Sequence, residues 1–186
     1  MEQASKRSLS PKPFTKGLVQ VFTGDGKGKT TAALGTAVRA LGHGLRVYFV
    51  SFLKGDIPSG EWNTLSKLPN IDFEHFGAKG FIGPRNITPQ DREQAEKALA
   101  AAHKALVSGE YNLVVMDEVN VALAFGLVSL DEVIRVINDK PEDVELILTG
   151  RKAAPEVIEL ADLVTECVAV KHPYNKGIMA RRGIEY

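Results

Sequence analysis

The sequence holds one cysteine, Cys167, in 186 residues, so no disulfide closes within the chain and no cysteine-based zinc site can be assembled. It has no net charge, because 23 Lys and Arg offset 23 Asp and Glu. That balance gives no electrostatic footprint for non-specific contact with nucleic acid or a membrane surface. No apolar run approaches the roughly 20 residues of a bilayer span. The opening stretch MEQASKRSLSPKPFTKG lacks the apolar core of a secretory signal. A cytoplasmic location is the expectation that follows. No internal repeat is found. His43, His75, His103 and His172 are scattered, and no Ser-His-Asp spacing is present. His43, between glycines at a helix end, reads as an ordinary C-terminal residue, and His103 as a solvated position on a helix.

What is present is a globular composition, 44% apolar and 25% charged, long enough to bury a core without a metal or disulfide staple. Residues 1–16 are polar and read as a flexible N-terminal arm. Residues 17–186 read as a single domain in which strands alternate with helices. GLVQVFTG is a β-rich run ending in glycine, and KTTAALGTAVRALGHG is helical and stops at Gly42 and Gly44. LRVYFVSFL is almost continuously apolar, as a parallel strand covered on both faces must be. IDFEHFG is a weaker third strand. Thr88 then caps a long helix with Pro89 at its first position and Asp91 in its first turn. Ala95, Ala98, Leu99, Ala102 and Leu106 share one of its faces. YNLVVMDEV is a fourth strand. Ser129 and Glu132 form a capping box, and Leu130, Val133, Ile134 and Ile137 repeat at helical spacing behind it. VELILTG, a short helix opened by Pro155, and LVTECVAV complete the series. The tail KHPYNKGIMARRGIEY has no assignable period. The pattern is α/β: a mainly parallel six-stranded sheet with helices on both faces.

The stretch TGDGKGKTT, Thr23 to Thr31, joins the first strand to the first helix. Gly24, Gly26 and Gly28 let backbone N–H groups approach phosphate oxygens, and the helix N-terminus adds partial positive charge. Lys29 would reach the outer phosphates and the Thr30 hydroxyl would sit on Mg²⁺. Asp25 and Thr31 belong to the same cradle. The pattern departs from G-x-x-x-x-G-K-[ST] by one residue, because Thr23 stands at the first position and the glycine follows at Gly24. The bland alternative is a glycine-rich turn without a ligand. Lys27 reads equally as a phosphate contact or a solvated lysine. Asp117-Glu118, closing LVVMDE, supply the acid that holds Mg²⁺ directly or through water, and the sequence does not choose between them. Arg151 ends the fifth strand on the same edge, as a nucleotide contact or a surface ion pair. A guanine-reading Asn-Lys-x-Asp is absent, because Asn175-Lys176 is followed by Gly177-Ile178. The cysteine ribbon of thymidine-kinase-like proteins cannot be built.

From about Gly17 to Tyr186 the chain resembles the P-loop corrinoid adenosyltransferases, which convert cob(I)alamin to adenosylcobalamin. The phosphate loop with its displaced glycine, FLKG, LVVMDE, LTGR, ADLVTE, VKHPYNKGI and the closing RRGIEY are similar to that family's landmarks in order and spacing. The resemblance implies a RecA-like P-loop domain that pairs as a homodimer. It implies that ATP is the adenosyl donor and a reduced corrinoid the acceptor, with a flavodoxin- or ferredoxin-like reductant as partner. It further implies that Lys29 and Mg²⁺ stabilise the triphosphate as it leaves. In some relatives the N-terminal arm folds over the corrinoid. Relatives often carry Gly-Phe-Thr-Trp after the third strand, whose rings press on the corrinoid; this chain reads Gly80-Phe81-Ile82-Gly83 and keeps Phe81, a corrinoid contact or a core residue, but not the tryptophan. The competing readings are a P-loop kinase acting on a nucleoside or other small molecule, and a nucleotide switch that hydrolyses ATP.

Overall fold

A computed structural model describes residues 14–55, 59–77 and 86–185. Six strands form one sheet: β1 (Val19–Thr23), β2 (Val47–Ser51), β3 (Ile71–His75), β4 (Leu113–Asp117), β5 (Glu145–Thr149) and β6 (Leu163–Glu166). Their order across the sheet is β3-β2-β4-β5-β1-β6, and every paired neighbour runs parallel. The chain therefore leaves β1, passes over the places later filled by β5 and β4, and lays down β2. All strand C-termini open on one edge, where ligands bind in sheets of this class.

Alternate residues of the inner strands face opposite layers, as the two-residue strand period requires. Val47, Phe49, Leu113, Val115 and Ile147 pack with Ala33 and Ala37 of α1 (Lys29–Gly42). Tyr48, Val50, Val114, Met116, Leu146 and Leu148 face the other layer, which holds α3 (Pro89–Val107). Both faces of the sheet are thus covered, which explains the unbroken apolar runs of β2 and β4. Between these elements lie the short α2 (Gly60–Leu65) and α4 (Val119–Ala124), neither of which the sequence pattern reveals. Then follow α5 (Leu130–Asn138) and α6 (Pro155–Leu160). Thr88 caps α3 as expected and forms a capping box with Asp91 besides, and the expected box of Ser129 with Glu132 forms at α5. The buried face of α3 contains Ala95, Ala98, Leu99, Ala102 and Leu106, as its spacing predicts. His103 differs from the reading as a solvated residue: its Nε2 lies 2.8 Å from Asp139 Oδ2, tying α3 to the end of α5.

The sixth strand is shorter than LVTECVAV. It ends at Glu166, all four of its residues are exposed, and the next residues turn along the phosphate loop. Among the described residues no helix is long and apolar enough to cross a membrane. The arm expected over residues 1–16 lies outside the described residues except for Phe14, Thr15 and Lys16.

Two positions on α1 separate packing from propensity. Ala37 is fully buried against the sheet, whereas a Cβ built at Gly35 meets nothing within 4 Å. We predict that Ala37→Leu destabilises the fold by about 1–3 kcal/mol through overpacking. Gly35→Ala, two residues away, should stabilise it by about 0.5–1 kcal/mol. Urea denaturation of the two variants would show opposite signs, and a stabilised Ala37→Leu would refute this packing.

Candidate functional site

The turn from β1 into α1 is shaped by the strand beside it. Gly26 N donates to Cys167 O at 2.6 Å, and Cys167 N donates to Thr23 O at 2.8 Å. A Cβ on Gly24 or Gly26 would lie 2.6 Å from that same Cys167 carbonyl oxygen. These two glycines are required by the backbone behind the loop, and Gly28 by its φ of 125°. The opposite side of the loop opens into the cleft. No side chain caps the N-terminus of α1 and no acid lies in its first turn. Its leading N–H groups are left to an external acceptor, the arrangement that binds phosphate.

Lys29, the first residue of α1, is buried and folds back over the loop. Its Nζ donates to Gly24 O at 2.8 Å and to Gly26 O at 2.7 Å. Burial lowers its pKa, and the Glu118 carboxylate opposes that shift. An anion in the cleft would restore the charge balance that burial disturbs.

Asp117 lies at the end of β4, fully buried. Its Oδ1 accepts from Thr30 Oγ1 at 2.8 Å and from Thr149 Oγ1 at 2.7 Å. Its Oδ2 accepts from Lys54 Nζ at 2.7 Å and, at 3.4 Å, from Ser51 Oγ. Four donors thus occupy this carboxylate. Glu118 follows in the left-handed region, φ 65°, and its backbone N–H donates to Thr149 Oγ1 at 3.0 Å. That turn aims the Glu118 side chain into the cleft, where among the described residues its carboxylate accepts no hydrogen bond. Burial raises its pKa, Asp117 raises it further, and Lys54, Lys29 and Arg151 pull it down. The three cations favour its ionised form, and with no hydrogen-bond partner among the described residues its oxygens are open to a metal ion.

The cleft has a volume of about 480 Å³. Gly26, Lys27, Gly28, Lys29, Thr30 and Thr31 line it, together with Lys54, Glu61, Glu118 and Arg151. Asp25 is exposed and lies off this lining, as does Gly24, whose carbonyl holds Lys29. Phe81 falls in 78–85, outside the described residues. Lys27 stays half-exposed and reaches the tail. Its Nζ donates to Ile184 O and to Glu185 Oε1, both at 2.9 Å. Arg181 also bonds the Glu185 carboxylate, which these contacts depress to a pKa of about 2. The tail that showed no period therefore lies along the mouth of the cleft with Gly183, Ile184 and Glu185.

Lys54, Ser51, Thr149 and the tail are functional-site residues that the motif reading missed. FLKG is visible in the sequence as a landmark, but nothing local to it tells that Lys54 meets Asp117. A pair of rings lies beside the cleft residues of α2. His75 is in register with Ser51, and Ser51 with Asp117, so all three share a sheet face. Trp62, on α2 directly after the cleft residues Gly60 and Glu61, stacks on His75 with centroids 4.0 Å apart and planes at 21°.

Comparison with known proteins adds to this geometry. Residues 15–186 match the family model of the ATP:corrinoid adenosyltransferase BtuR/CobO/CobP. The chain is similar to the corrinoid adenosyltransferase of Escherichia coli K12, 38% identical over 92% of this chain and 86% of that one. It is 39% identical to the corrinoid adenosyltransferase of Pseudomonas aeruginosa over 92% of this chain and 84% of the relative. The corrinoid adenosyltransferase of a Sinorhizobium species is 35% identical, over 98% of this chain and 86% of its own.

The Cys167 contact predicts the effect of a single methyl group. Gly26→Ala has no positive φ to strain, only the 2.6 Å approach to a backbone oxygen. It should cost about 1–3 kcal/mol of stability and weaken ATP binding as the loop shifts. Calorimetric titration alongside thermal melting would read both; wild-type values in both would show that the loop does not depend on this approach.

Proposed function

This chain belongs to the ATP:corrinoid adenosyltransferase family, and we propose that its cleft holds the triphosphate of ATP as the leaving group while a reduced corrinoid takes the adenosyl carbon. Family membership makes it an enzyme that transfers the adenosyl group of ATP to a corrinoid, and the kinase reading is not favoured. The observation that carries the mechanistic reading is the uncapped start of α1 with Lys29 folded beside it, in one cleft with a Glu118 carboxylate that has no hydrogen-bond partner among the described residues.

In this reading Co(I) supplies both electrons of the new Co–C5′ bond, and the electron pair of the C5′–O5′ bond departs with the triphosphate. No proton moves at the reacting carbon, so no general base is required. The protein's work is to orient the chain of phosphates and to stabilise charge that grows on O5′. The N–H groups of the loop and Lys29 meet that charge directly, and Arg151, which lines the same cleft, adds to them. Among the described residues no three His, Cys, Asp or Glu side chains gather to hold a cation unaided. Two hard oxygen donors, Thr30 Oγ1 and the Glu118 carboxylate, instead face the space for a polyphosphate. That set suits Mg²⁺, which takes few protein ligands and shares the oxygens of its substrate. Bound there, Mg²⁺ would neutralise part of the phosphate charge. Because Asp117 already accepts four donors, Glu118 is the acid that meets the ion, with Asp117 acting through Thr30.

The acceptor belongs at the other end, beyond Lys54. Phe81 stays a candidate for its face, and the Trp62–His75 stack at the edge strand β3 supports placing flat rings there. Cobalt must reach Co(I) before it attacks, so a one-electron donor of flavodoxin or ferredoxin type is part of the proposal. A homodimer is also proposed. Its support is the uncovered apolar run along the β6 edge, where Leu163, Val164, Val168 and Val170 are 40%, 41%, 66% and 85% exposed.

The test is incubation with ATP, Mg²⁺ and chemically reduced corrinoid. Inorganic triphosphate and a light-sensitive cobalt–carbon product are expected; ADP with a phosphorylated acceptor would contradict the reading. Lys29→Ala should lose roughly 10²–10³ in rate, the range for one preorganised donor, and near-normal turnover would remove Lys29 from the mechanism. His75→Ala should weaken corrinoid binding about three- to tenfold, the worth of one aromatic stack, with ATP binding intact. Equal weakening of both ligands, or of neither, would remove the rings from the acceptor site.

A further inference from the structure

Lys54 stands out among the side chains that the phosphate-loop reading leaves unused. Its ammonium is 2.7 Å from Asp117 Oδ2 and 3.9 Å from Glu61 Oε1, and it lines the same cleft as Thr30. The backbone around it is fixed with unusual care. Leu53, just before it, takes a φ of 61°, a strained choice for a branched apolar residue. Phe52 N donates to Asp117 O at 2.8 Å, and Lys54 N donates to Phe76 O at 3.0 Å. On the far side a Cβ at Gly77 would come within 2.6 Å of Gly55 N and 2.9 Å of Lys54 N. Strain before the residue and close approach after it hold the backbone that carries Lys54, and from there its ammonium reaches the buried carboxylate.

Thr30 donates its hydroxyl hydrogen to Asp117 Oδ1 at 2.8 Å. While that bond stands, the lone pairs of Thr30 Oγ1 are turned away from Asp117 and are free for a cation. A carboxylate with no counter-charge would draw the cation to itself, or turn so that Thr30 loses its acceptor. The geometry points to Lys54 as a positioning residue: a tethered cation that holds Asp117 in place so that Thr30 presents its lone pairs to the metal and phosphates. The order of action is Lys54 to Asp117 to Thr30, with Glu118 left as the open acid. This inference rests on the reading that Mg²⁺ and triphosphate share the cleft.

The test is calorimetric titration of the full chain with ATP at graded Mg²⁺ and in EDTA, without corrinoid. For Lys54→Gln we expect the Mg²⁺ concentration for half-maximal tightening of ATP binding to rise about tenfold, the lower end of the effect of removing a residue that orients a metal ligand. Affinity for ATP in EDTA should change less than twofold, and Lys54→Arg, which keeps the charge, should recover most of the Mg²⁺ response. A lower melting temperature with an unchanged Mg²⁺ requirement would make Lys54 a structural ion pair and overturn the inference. Equal losses with and without Mg²⁺, repeated with inorganic triphosphate, would make it a direct phosphate contact and overturn it as well. If Lys54→Gln does not fold, Leu53→Gly relaxes the backbone that aims the ammonium and should raise the Mg²⁺ requirement in the same direction; no change there counts against the inference. A wild-type protein whose ATP binding ignores Mg²⁺ would instead remove the underlying site reading, an outcome separate from the variants' behaviour.

Discussion

The carboxylate of Asp117 is the point on which the site hangs. It has no exposed surface, and a buried charge persists only where donors and a counter-charge surround it. Here those groups come from four separate places in the chain: Thr30 at the start of α1, Ser51 at the end of β2, Lys54 just beyond, and Thr149 at the end of β5. Removing one member of such a buried pair typically costs about 3–5 kcal/mol, so the arrangement has little freedom to drift. The same bonds that satisfy Asp117 therefore set where α1 begins relative to three strand ends.

That constraint has a chemical consequence. The parallel sheet brings every strand end to one edge, and the Asp117 network selects which side chains face one another across it. Backbone N–H groups and Lys29 share the cleft with Glu118, Lys54 and Arg151. Charges held in fixed positions within a cleft stabilise a polyanion without the reorganisation that water would need. Such a cleft suits a reaction whose main demand is to accept negative charge on a departing group. The tail over its mouth, held by Lys27 and Arg181 through Glu185, places further chain against the same cleft. A reaction without proton transfer also explains why the four histidines never assemble: His103 pairs with Asp139, and His75 stacks on Trp62.

Much of the fold was legible in the sequence because it is encoded locally. The alternation of strands and helices, the Thr88 and Ser129 caps and the buried stripe of α3 all depend on neighbours within a few residues. The phosphate loop was legible for the same reason, although Gly24 and Gly26 answer first to the Cys167 backbone and only then to a ligand. What could not be read depends on the order of strands. Lys54 and Asp117 are 63 residues apart and meet only because β2 lies beside β4. His75 joins their row through the β3–β2 register, and Lys27 meets Glu185 across nearly the whole chain. The six-residue helices α2 and α4 were missed because neither is long enough to show a period. The sixth strand was overdrawn because LVTECVAV stays β-prone after the chain has turned along the loop.

The chemistry of this cleft turns on which bond of ATP yields. ATP carrying ¹⁸O at the oxygen that joins C5′ to the α-phosphorus separates the possibilities in one turnover with reduced corrinoid. Mass spectrometry of the products should find the label in inorganic triphosphate, with the adenosyl carbon bonded to cobalt. Label retained on the adenosine moiety would mean that a phosphorus–oxygen bond had broken, and would contradict the claim that this cleft is built around a departing triphosphate.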